Sequence, residues 1–291
     1  MRQEKLPWQS KLILLLVLPL AATSMTLDCI AWWGEPQAIV LSTLVPSVLL
    51  GLLTWKVRAA TPAAAVTGAV ITASLMLSTT TFPYSPWHTA FAPTLGVGVL
   101  AFLSTRVGRR KKERLGTAEA RRGRSASQIA ANLGVAALIA IGPVQSWLLD
   151  MRWPLHAAGS GVSLLVMAIA ALGEAAADTV SSEIGQVLGG RPRMITTLRA
   201  VEPGQDGAVS IVGTLAGIVA ACLIAAVGTW ALRGDWSFFA LSAAGAVFGL
   251  FFDSLLGATF EAWGWINNDA VNFLSTASAA GFALGLVALV K

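Results

Sequence analysis

The chain has 291 residues, of which 55% are hydrophobic and only 12% are charged, and its formal net charge is +5. Soluble domains average roughly 25% charged residues, so this composition excludes a soluble enzyme with a single anchor. It predicts an all-α, polytopic transmembrane helical bundle. The two cysteines lie in separate apolar segments without zinc or disulfide spacing, so we interpret both as packing residues.

Nine apolar segments are each close to the length of about 20 residues that a helix needs to cross a bilayer. The first follows basic residues and resembles a signal peptide, but it is long enough to span and no clear cleavage site follows it. We predict N-terminal transmembrane helices in residues 1–60 and a membrane-embedded core in residues 61–291. The predicted spans are 12–30, 38–55, 62–81, 89–105, 126–149, 156–173, 208–230, 237–256 and 271–290.

The distribution of lysine and arginine predicts how the spans are oriented. The loop from Arg106 to Arg124 carries nine of these residues, so the positive-inside rule places it in the cytoplasm. Alternation from this loop places the N-terminus inside, the C-terminus outside and 17 of the 20 basic residues on the cytoplasmic side. Most tryptophans lie near proposed span ends, as in an aromatic belt. We expect an integral protein of the cell (inner) membrane, surrounded by lipid bilayer.

The basic loop is open to more than one interpretation. It serves as a topology determinant, and it would also bind anionic lipid headgroups or concentrate a polyanionic nucleotide. We expect no nucleic-acid partner, because aromatic interleaving and a recognisable reading motif are lacking. Just after the loop, Gln128 and Asn132 share one helical face, where they either bond a neighbouring helix or line a site.

A long polar cluster runs from Ala177 to Ser210 in this otherwise apolar part of the chain. Polar groups are costly next to lipid unless they face a cavity or a partner. Glu174, Asp178 and Ser181 are spaced four and three apart, so they form one stripe on a helix. This spacing predicts that the sixth span continues into a site, or that a short helix lies at the interface.

The second half of this cluster combines glycine turns with hydroxyls and arginines, which favour binding of phosphate oxygens. Ser210 opens the seventh span, whose N-terminal N–H groups attract an anion. No Walker pattern is present, and a re-entrant connection whose polar groups satisfy one another is the alternative. The candidate phosphate-binding residues are Arg193, Thr196, Thr197, Arg199, Gly204, Gly207 and Ser210.

Two shorter polar clusters, 252–259 and 265–273, lie on the same predicted side of the membrane. Asp253 ends the eighth span, and Mg²⁺ prefers one or two carboxylates together with phosphate oxygens and water. Asn268 and Asn272 lie at helix spacing, although Asn268 is alternatively an N-cap. We expect Glu261 to be solvated at the interface. Together the three clusters predict one composite site for a metal and an anion.

Several blocks of this sequence resemble a known integral-membrane family, the one that contains plant phytyl-phosphate kinase and animal transmembrane protein nineteen. This family is distantly similar to CTP-dependent dolichol kinase and to CDP-diacylglycerol synthase. The blocks span about residues 60–290 and are TPAAAVTG from Thr61, STRVGRRKKERLG from Ser104, RSASQIAANLG from Arg124, ADTVSSEIG from Ala177, PRMITTLRAVEPGQDGAVSIVGTLAG from Pro192, FDSLLGAT from Phe252 and NNDAVNFLST from Asn267.

The resemblance implies phosphorylation of an isoprenoid lipid monophosphate, such as phytyl or geranylgeranyl phosphate, by a nucleoside triphosphate, with CTP favoured. Two positions depart from the commonest pattern, since Arg199 stands where lysine is expected and Asp206 where asparagine is usual. Carried over by motif position, the site would comprise Asp178, Ser182, Glu183, Thr196, Thr197, Gly204, Gly207, Ser210, Asp253, Asn268, Asp269 and Asn272.

We predict Asp178 and Asp253 as ligands of Mg²⁺, with Asp269 or Glu183 assisting as further catalytic carboxylates. The arginines, threonines and glycines of the long cluster would hold donor phosphates, and the asparagines would orient either substrate. A membrane cytidylyltransferase would share the same nucleotide and metal site. A secondary transporter with broken helices is the other alternative, although the acids cluster on one side of the membrane and no inverted repeat is visible.

Overall fold

The computed structural model describes residues 6–34, 38–118, 123–142, 144–145 and 161–290. The described residues form an all-α bundle, as predicted, with one short β-hairpin. The helices are α1 (Trp8–Trp32), α2 (Ile39–Lys56), α3 (Pro62–Ser78), α4 (Phe91–Arg106), α5 (Arg109–Leu115), α6 (Ala126–Ala140), α7 (Gly161–Leu188), α8 (Ile211–Ala231), α9 (Trp236–Leu256) and α10 (Asn268–Val290). The strands are β1 (Arg193–Met194) and β2 (Ala208–Val209), and a 3₁₀ turn (Pro86–His88) precedes α4.

The prediction of nine spans was too high for the described residues. Six of the described helices are long and apolar enough to cross a membrane, namely α1, α2, α7, α8, α9 and α10. The number of candidate spans rises to seven if α4 and α5, which are bent by 69° relative to each other, are counted as one span. The predicted third and fifth spans correspond to α3 and α6, which have only 17 and 15 residues. Residues 146–160, where the fifth span would end and the sixth begin, lie outside the described part of the chain.

Helix α7 is the central element of the bundle. In its most apolar window 78% of the residues are buried, whereas the other five spans bury 22–39% of theirs. It packs against α4, α6, α8, α9 and α10. Small side chains on a membrane helix let neighbouring helices approach closely, and α7 presents alanines at 168, 170, 171 and 175–177. The apolar half of α7 is therefore enclosed by other helices, whereas its polar half, which extends to Leu188, is mostly half-buried.

The contact between α7 and α8 is made by backbone atoms. Gly213 and Gly217 lie one turn apart on α8 and face α7. A β-carbon at Gly217 would lie 2.9 Å from the Ala177 carbonyl oxygen, and one at Gly213 would lie 2.7 Å from the Ser181 carbonyl oxygen. The glycines therefore allow α8 to lie directly against the polar segment of α7.

A buried polar contact joins the first helix to the last. The Ser10 hydroxyl donates to Asp269 Oδ2 at 2.6 Å, and Asn267 Nδ2 donates to Ser10 Oγ at 2.8 Å. Helix α1 also packs against α3 and α6. The division of the chain into residues 1–60 and 61–291 stays a prediction. Helix α1, from the first part, packs against helices of the second part.

We expect Gly217→Ala to destabilise the protein, because the added β-carbon would meet backbone and side-chain atoms on two neighbouring helices. Overpacking of this kind typically costs about 1–3 kcal/mol. Gly285→Ala is the matched control, since a β-carbon at Gly285 would meet no atom within 4 Å. Thermal unfolding in detergent should show a lower midpoint for Gly217→Ala alone, and equal midpoints would contradict the inferred helix contact.

Candidate functional site

Side chains from all three polar clusters surround one cavity of about 360 Å³. It lies where α6, α7, α9 and α10 meet the segment that connects α7 to α8. Among the residues that the sequence predicted for the site, those that line this cavity are Gln128, Asn132, Asp178, Ser182, Glu183, Gly204, Gly207, Ser210, Asp253, Asn268 and Asn272. Tertiary packing thus gathers residues that are up to 144 positions apart in the chain.

Two aspartates lie together in the cavity. Asp178 belongs to α7 and Asp253 to α9, and both line the cavity close enough together to interact electrostatically. The Ser182 hydroxyl donates to Asp178 Oδ1 at 3.4 Å, while Asp253 Oδ2 is buried and has no hydrogen-bond partner among the described residues. Two ionised carboxylates in contact repel each other, so this pair requires a proton or a cation between its members.

A third carboxyl group, that of Glu174, lies one helical turn from Asp178 on the stripe that the sequence predicted, although no role was predicted for it. Glu174 is 1% exposed and has an Oε1 atom without a partner in the described residues. Space for it is made by Gly249 on α9, where a β-carbon would lie 2.5 Å from Glu174 Cγ. The four-residue spacing between Glu174 and Asp178 was the sequence feature that placed both on one face of a helix.

The paired aspartates are the residues that fit a magnesium ion. No group of three or more His, Cys, Asp or Glu side chains in the described ranges is arranged to hold a metal. Mg²⁺ does not need such a group, because it commonly uses one or two carboxylates and completes its shell with phosphate oxygens and water. The unpartnered Oδ2 atom of Asp253 is consistent with such a ligand.

The segment between α7 and α8 folds over the cavity as a hairpin in which β1 pairs antiparallel with β2. Gly204 and Gly207 have φ angles of 88° and 74°, a region that residues with a β-carbon rarely adopt. Gly207 lies against Ala258, and a β-carbon on Gly257 would lie 2.9 Å from the Gly207 nitrogen. The glycine turn is therefore seated on the residues that follow Asp253.

Two further residues of this segment, Ser210 and Asp206, line the cavity. The Ser210 hydroxyl accepts a hydrogen bond from the Gly213 N–H at 3.1 Å, so it caps α8 and aims the N-terminus of that helix at the cavity. Asp206 lies on the exposed side of the cavity, where partial desolvation raises the pKa of its carboxyl group.

Five predicted residues are not among those that line the cavity. Arg193 is exposed, and its Nη1 atom donates to the Leu198 carbonyl oxygen at 2.7 Å, which holds the tip of the hairpin. Asp269 is 8% exposed and points to Ser10 on α1. The remaining three are exposed side chains of the hairpin, Thr196, Thr197 and Arg199. Contacts of these five with a nucleotide stay predictions that the cavity geometry does not support.

Glu183 lines the cavity, but its carboxylate already has partners. It forms a salt bridge with Lys112, whose side chain is 1% exposed, and it accepts a hydrogen bond from the Thr105 hydroxyl at 3.1 Å. Lys112 also donates to the carbonyl oxygens of Ser104 and Thr105. This arrangement fixes the basic helix α5 against α7 and argues for a positioning role for Glu183.

The structure adds residues that sequence analysis placed elsewhere. Arg124, interpreted as part of a topology determinant, lines the cavity, and its Nη2 atom donates to the Thr179 hydroxyl at 3.3 Å. Glu261, expected to be solvated, is part of the cavity wall. It is carried there by a π-helical turn, Gly257–Glu261, and single π turns of this kind are frequent at functional sites. No local feature of the sequence predicts that Arg124 or Glu261 lines the cavity.

The amide side chains of the cavity differ in how much of their hydrogen-bonding capacity is engaged. Asn267, not Asn268, caps α10, because Asn267 Oδ1 accepts from the Ala270 N–H at 3.0 Å. Gln128 Oε1 accepts from the Ser125 N–H at 2.7 Å in a capping box, and Asn132 Nδ2 donates to the Gln128 carbonyl oxygen at 2.8 Å. Asn268 is therefore available to a ligand, which removes the alternative interpretation as an N-cap.

We expect Gly207→Ala to detach the hairpin from the cavity, because the new β-carbon would overlap Ala258 and the left-handed backbone would also be strained. Gly190→Ala is the matched control, since Gly190 has a φ angle of 66° but no atom within 4 Å of an added β-carbon. Hydrogen–deuterium exchange of amides 193–209 should accelerate several-fold more in Gly207→Ala. Equal acceleration in the two variants would refute the docking of this turn.

Comparison with known proteins places the chain in a family. The chain is 31% identical over 227 residues to an uncharacterized membrane protein of Synechocystis sp.. The aligned region covers 70% of this chain and 83% of that protein. It is 44% identical over 112 residues to an uncharacterized membrane protein of Methanocaldococcus jannaschii, covering 38% of this chain and 47% of the relative. It is also 37% identical over 101 residues to the chloroplastic protein VTE6 of Arabidopsis thaliana, covering 34% of this chain and 30% of VTE6.

The chain thus spans about half the length of the archaeal relative and less than a third of VTE6 in these matches. No solved structure matches the chain. The model of the family described as integral membrane protein DUF92 matches residues 45–280, which contain all of the cavity residues. This chain belongs to the DUF92 family of integral membrane proteins, in agreement with the family resemblance of its motifs.

Proposed function

We propose that this protein transfers a phosphoryl group from a nucleoside triphosphate, with CTP favoured, to an isoprenoid monophosphate such as phytyl or geranylgeranyl phosphate. The observation that carries the proposal is the polar cavity inside a membrane bundle, with paired aspartates on one side and a glycine turn and a capped helix N-terminus on the other. A cavity of this composition suits a polyphosphate and a divalent cation. The match to VTE6 and the resemblance to phytyl-phosphate kinase support the reaction class.

The reaction requires little covalent chemistry from the protein. A phosphate oxygen of the acceptor attacks the γ-phosphorus of the donor, and the bond between that phosphorus and the oxygen bridging to the β-phosphate breaks. The products are a nucleoside diphosphate and a lipid diphosphate. Because the acceptor is already anionic, no strong general base is needed, and positioning with charge neutralisation supplies most of the catalysis.

Named residues have distinct tasks in this proposal. Asp178 and Asp253 would hold Mg²⁺, which when bound neutralises the charge that develops on the donor phosphates. The N-terminus of α8 and the backbone of the 204–207 turn bind the donor phosphates through N–H groups. Asn268 and Asn272 orient the substrates with their amides. Arg124, close enough to Asp178 for electrostatic interaction, holds anionic groups at the side of α6.

The location of basic residues supports a cytoplasmic site. The salt bridge between Lys112 and Glu183 places the basic helix α5 at the cavity end of the bundle. The positive-inside rule then orients this end toward the cytoplasm, where nucleoside triphosphates are available. We infer that the protein lies in the cell membrane with its N-terminus inside.

The proposal is tested with purified protein, Mg²⁺, labelled CTP or ATP, and phytyl or geranylgeranyl phosphate. We expect a lipid diphosphate and a nucleoside diphosphate in equal amounts, and loss of turnover when EDTA removes the metal. Release of pyrophosphate instead would indicate a cytidylyltransferase. Solute flux in liposomes together with no turnover of any nucleotide would overturn both enzymatic functions.

We expect Asp178→Asn and Asp253→Asn each to lower kcat by about 100-fold or more, because each removes a negative charge that would hold the metal against the donor phosphates. Asp235→Asn is the isosteric control, since Asp235 only caps α9 through the Phe238 N–H at 2.9 Å and asparagine caps equally well. Thermal unfolding verifies that all three variants fold. Turnover near the wild-type rate in Asp178→Asn or Asp253→Asn would refute the metal role of that residue.

A further inference from the structure

A second cavity of about 400 Å³ lies beside the polar one, among α2, α3, α4 and α6. We name it the apolar groove, since its wall is formed mainly by small and aliphatic residues of these four helices. Two residues, Arg124 and Asn132, line both cavities. The apolar groove and the polar cavity therefore meet at these two side chains.

Glycine residues create the space in the groove. Gly51 brings α2 against α3, since a β-carbon there would lie 2.8 Å from the Ala65 carbonyl oxygen. In contrast, a β-carbon on Gly68 would meet only Ile129 Cγ2, at 3.8 Å, and one on Gly98 would meet no atom within 4 Å. These two glycines leave open volume along α3 and α4 that a larger side chain would fill without a clash of its β-carbon.

The backbone holds Arg124 at the junction of the two cavities. Its N–H donates to the Ala59 carbonyl oxygen and its own carbonyl oxygen accepts from the Thr61 N–H, both at 3.0 Å. Gly123, with a φ angle of 81°, allows this approach, because a β-carbon there would lie 2.6 Å from the Ala60 nitrogen. The guanidinium group reaches Thr179, the residue that follows Asp178 on α7.

The charges at the groove complement a lipid phosphate. Besides Arg124, the groove is lined by Arg58, Arg106 and Arg109 at the end that carries the basic helix α5. Glu113 lines the same end, where it accepts a hydrogen bond from Arg109 Nε at 3.2 Å, so this end keeps a net positive charge. The rest of the wall is mainly apolar. Along α3 the lining runs from Ala64 to Thr72, about 12 Å of helix. A basic end on an apolar channel matches a single hydrocarbon chain with an anionic head.

We propose that the apolar groove binds the hydrocarbon chain of the isoprenoid monophosphate acceptor, and that Arg124 places its phosphate where the groove meets the polar cavity. This inference rests on the proposed function and assigns the acceptor half of the site. The nucleotide occupies the polar cavity, so the two substrates approach each other from opposite sides of Arg124. The open space at Gly68 and Gly98 allows the groove to accept a long chain.

The test uses Gly68→Leu and Gly98→Leu, which should shorten the groove, and Gly285→Leu, which adds the same side chain at an open position on α10. Acceptors are geranyl, farnesyl and geranylgeranyl phosphate at saturating CTP. We expect the ratio of kcat/KM for geranylgeranyl over geranyl phosphate to fall about tenfold or more in the two groove variants. The ratio should stay within about twofold of wild type in Gly285→Leu. An unchanged ratio in both groove variants, with thermal stability preserved, overturns the assignment.

A direct binding measurement separates this inference from the proposed function. Geranylgeranyl phosphate with a diazirine on its terminal isoprene unit is irradiated with wild-type protein, and the labelled peptides are mapped. Labels on α3 and α4 that disappear in Gly68→Leu support the groove even if no nucleotide is turned over, in which case only the proposed function fails. Labels on other helices, or labels abolished by excess phosphatidylglycerol, overturn the acceptor assignment.

Discussion

The constraint on which this structure depends is the burial of ionisable groups inside a membrane protein. Asp178 on α7 and Asp253 on α9 line the same cavity, and Glu174 lies one helical turn from Asp178. Charged groups in such a place are costly unless they face a cavity, a partner or an ion. The bundle surrounds them with protein, and the polar cavity lies beside them.

Small residues make that enclosure possible. Gly213 and Gly217 bring α8 against the polar half of α7, and Gly249 leaves space for the Glu174 side chain. Without a strong hydrophobic driving force between helices in lipid, close backbone packing is a principal source of association. The same glycines and alanines that stabilise the bundle therefore also shape the site, and a substitution at one of them would affect both.

The two cavities differ in chemistry in the way that the two substrates of the proposed reaction require. The polar cavity has carboxylates, amides and backbone N–H groups, whereas the apolar groove has small and aliphatic side chains with arginines at one end. Arg124 lies in the wall of both. In the proposed reaction this places the acceptor phosphate next to the donor without drawing the hydrocarbon chain into a polar environment, which would be unfavourable.

The sequence alone determined the membrane class, the all-α fold and the residues of the polar clusters, because composition and periodicity are local properties. It also pointed to Asp178 and Asp253, since isolated acids in apolar helices are conspicuous. For the described residues it overestimated the number of spans, because α3 and α6 are apolar but only 17 and 15 residues long. It also assigned Arg193 and Asp269 to a cavity that neither of them lines.

Only the tertiary structure decided which polar residues meet. Arg124 reaches the site through backbone bonds to the loop between α2 and α3, and Glu261 through a π-helical turn. Asp269 instead serves a buried contact with Ser10, and Glu183 pairs with Lys112. Each outcome depends on a partner distant in sequence, and long-range packing has no counterpart in local residue spacing. Sequence therefore located the polar clusters, whereas the packing of helices determined which of their members form the cavity.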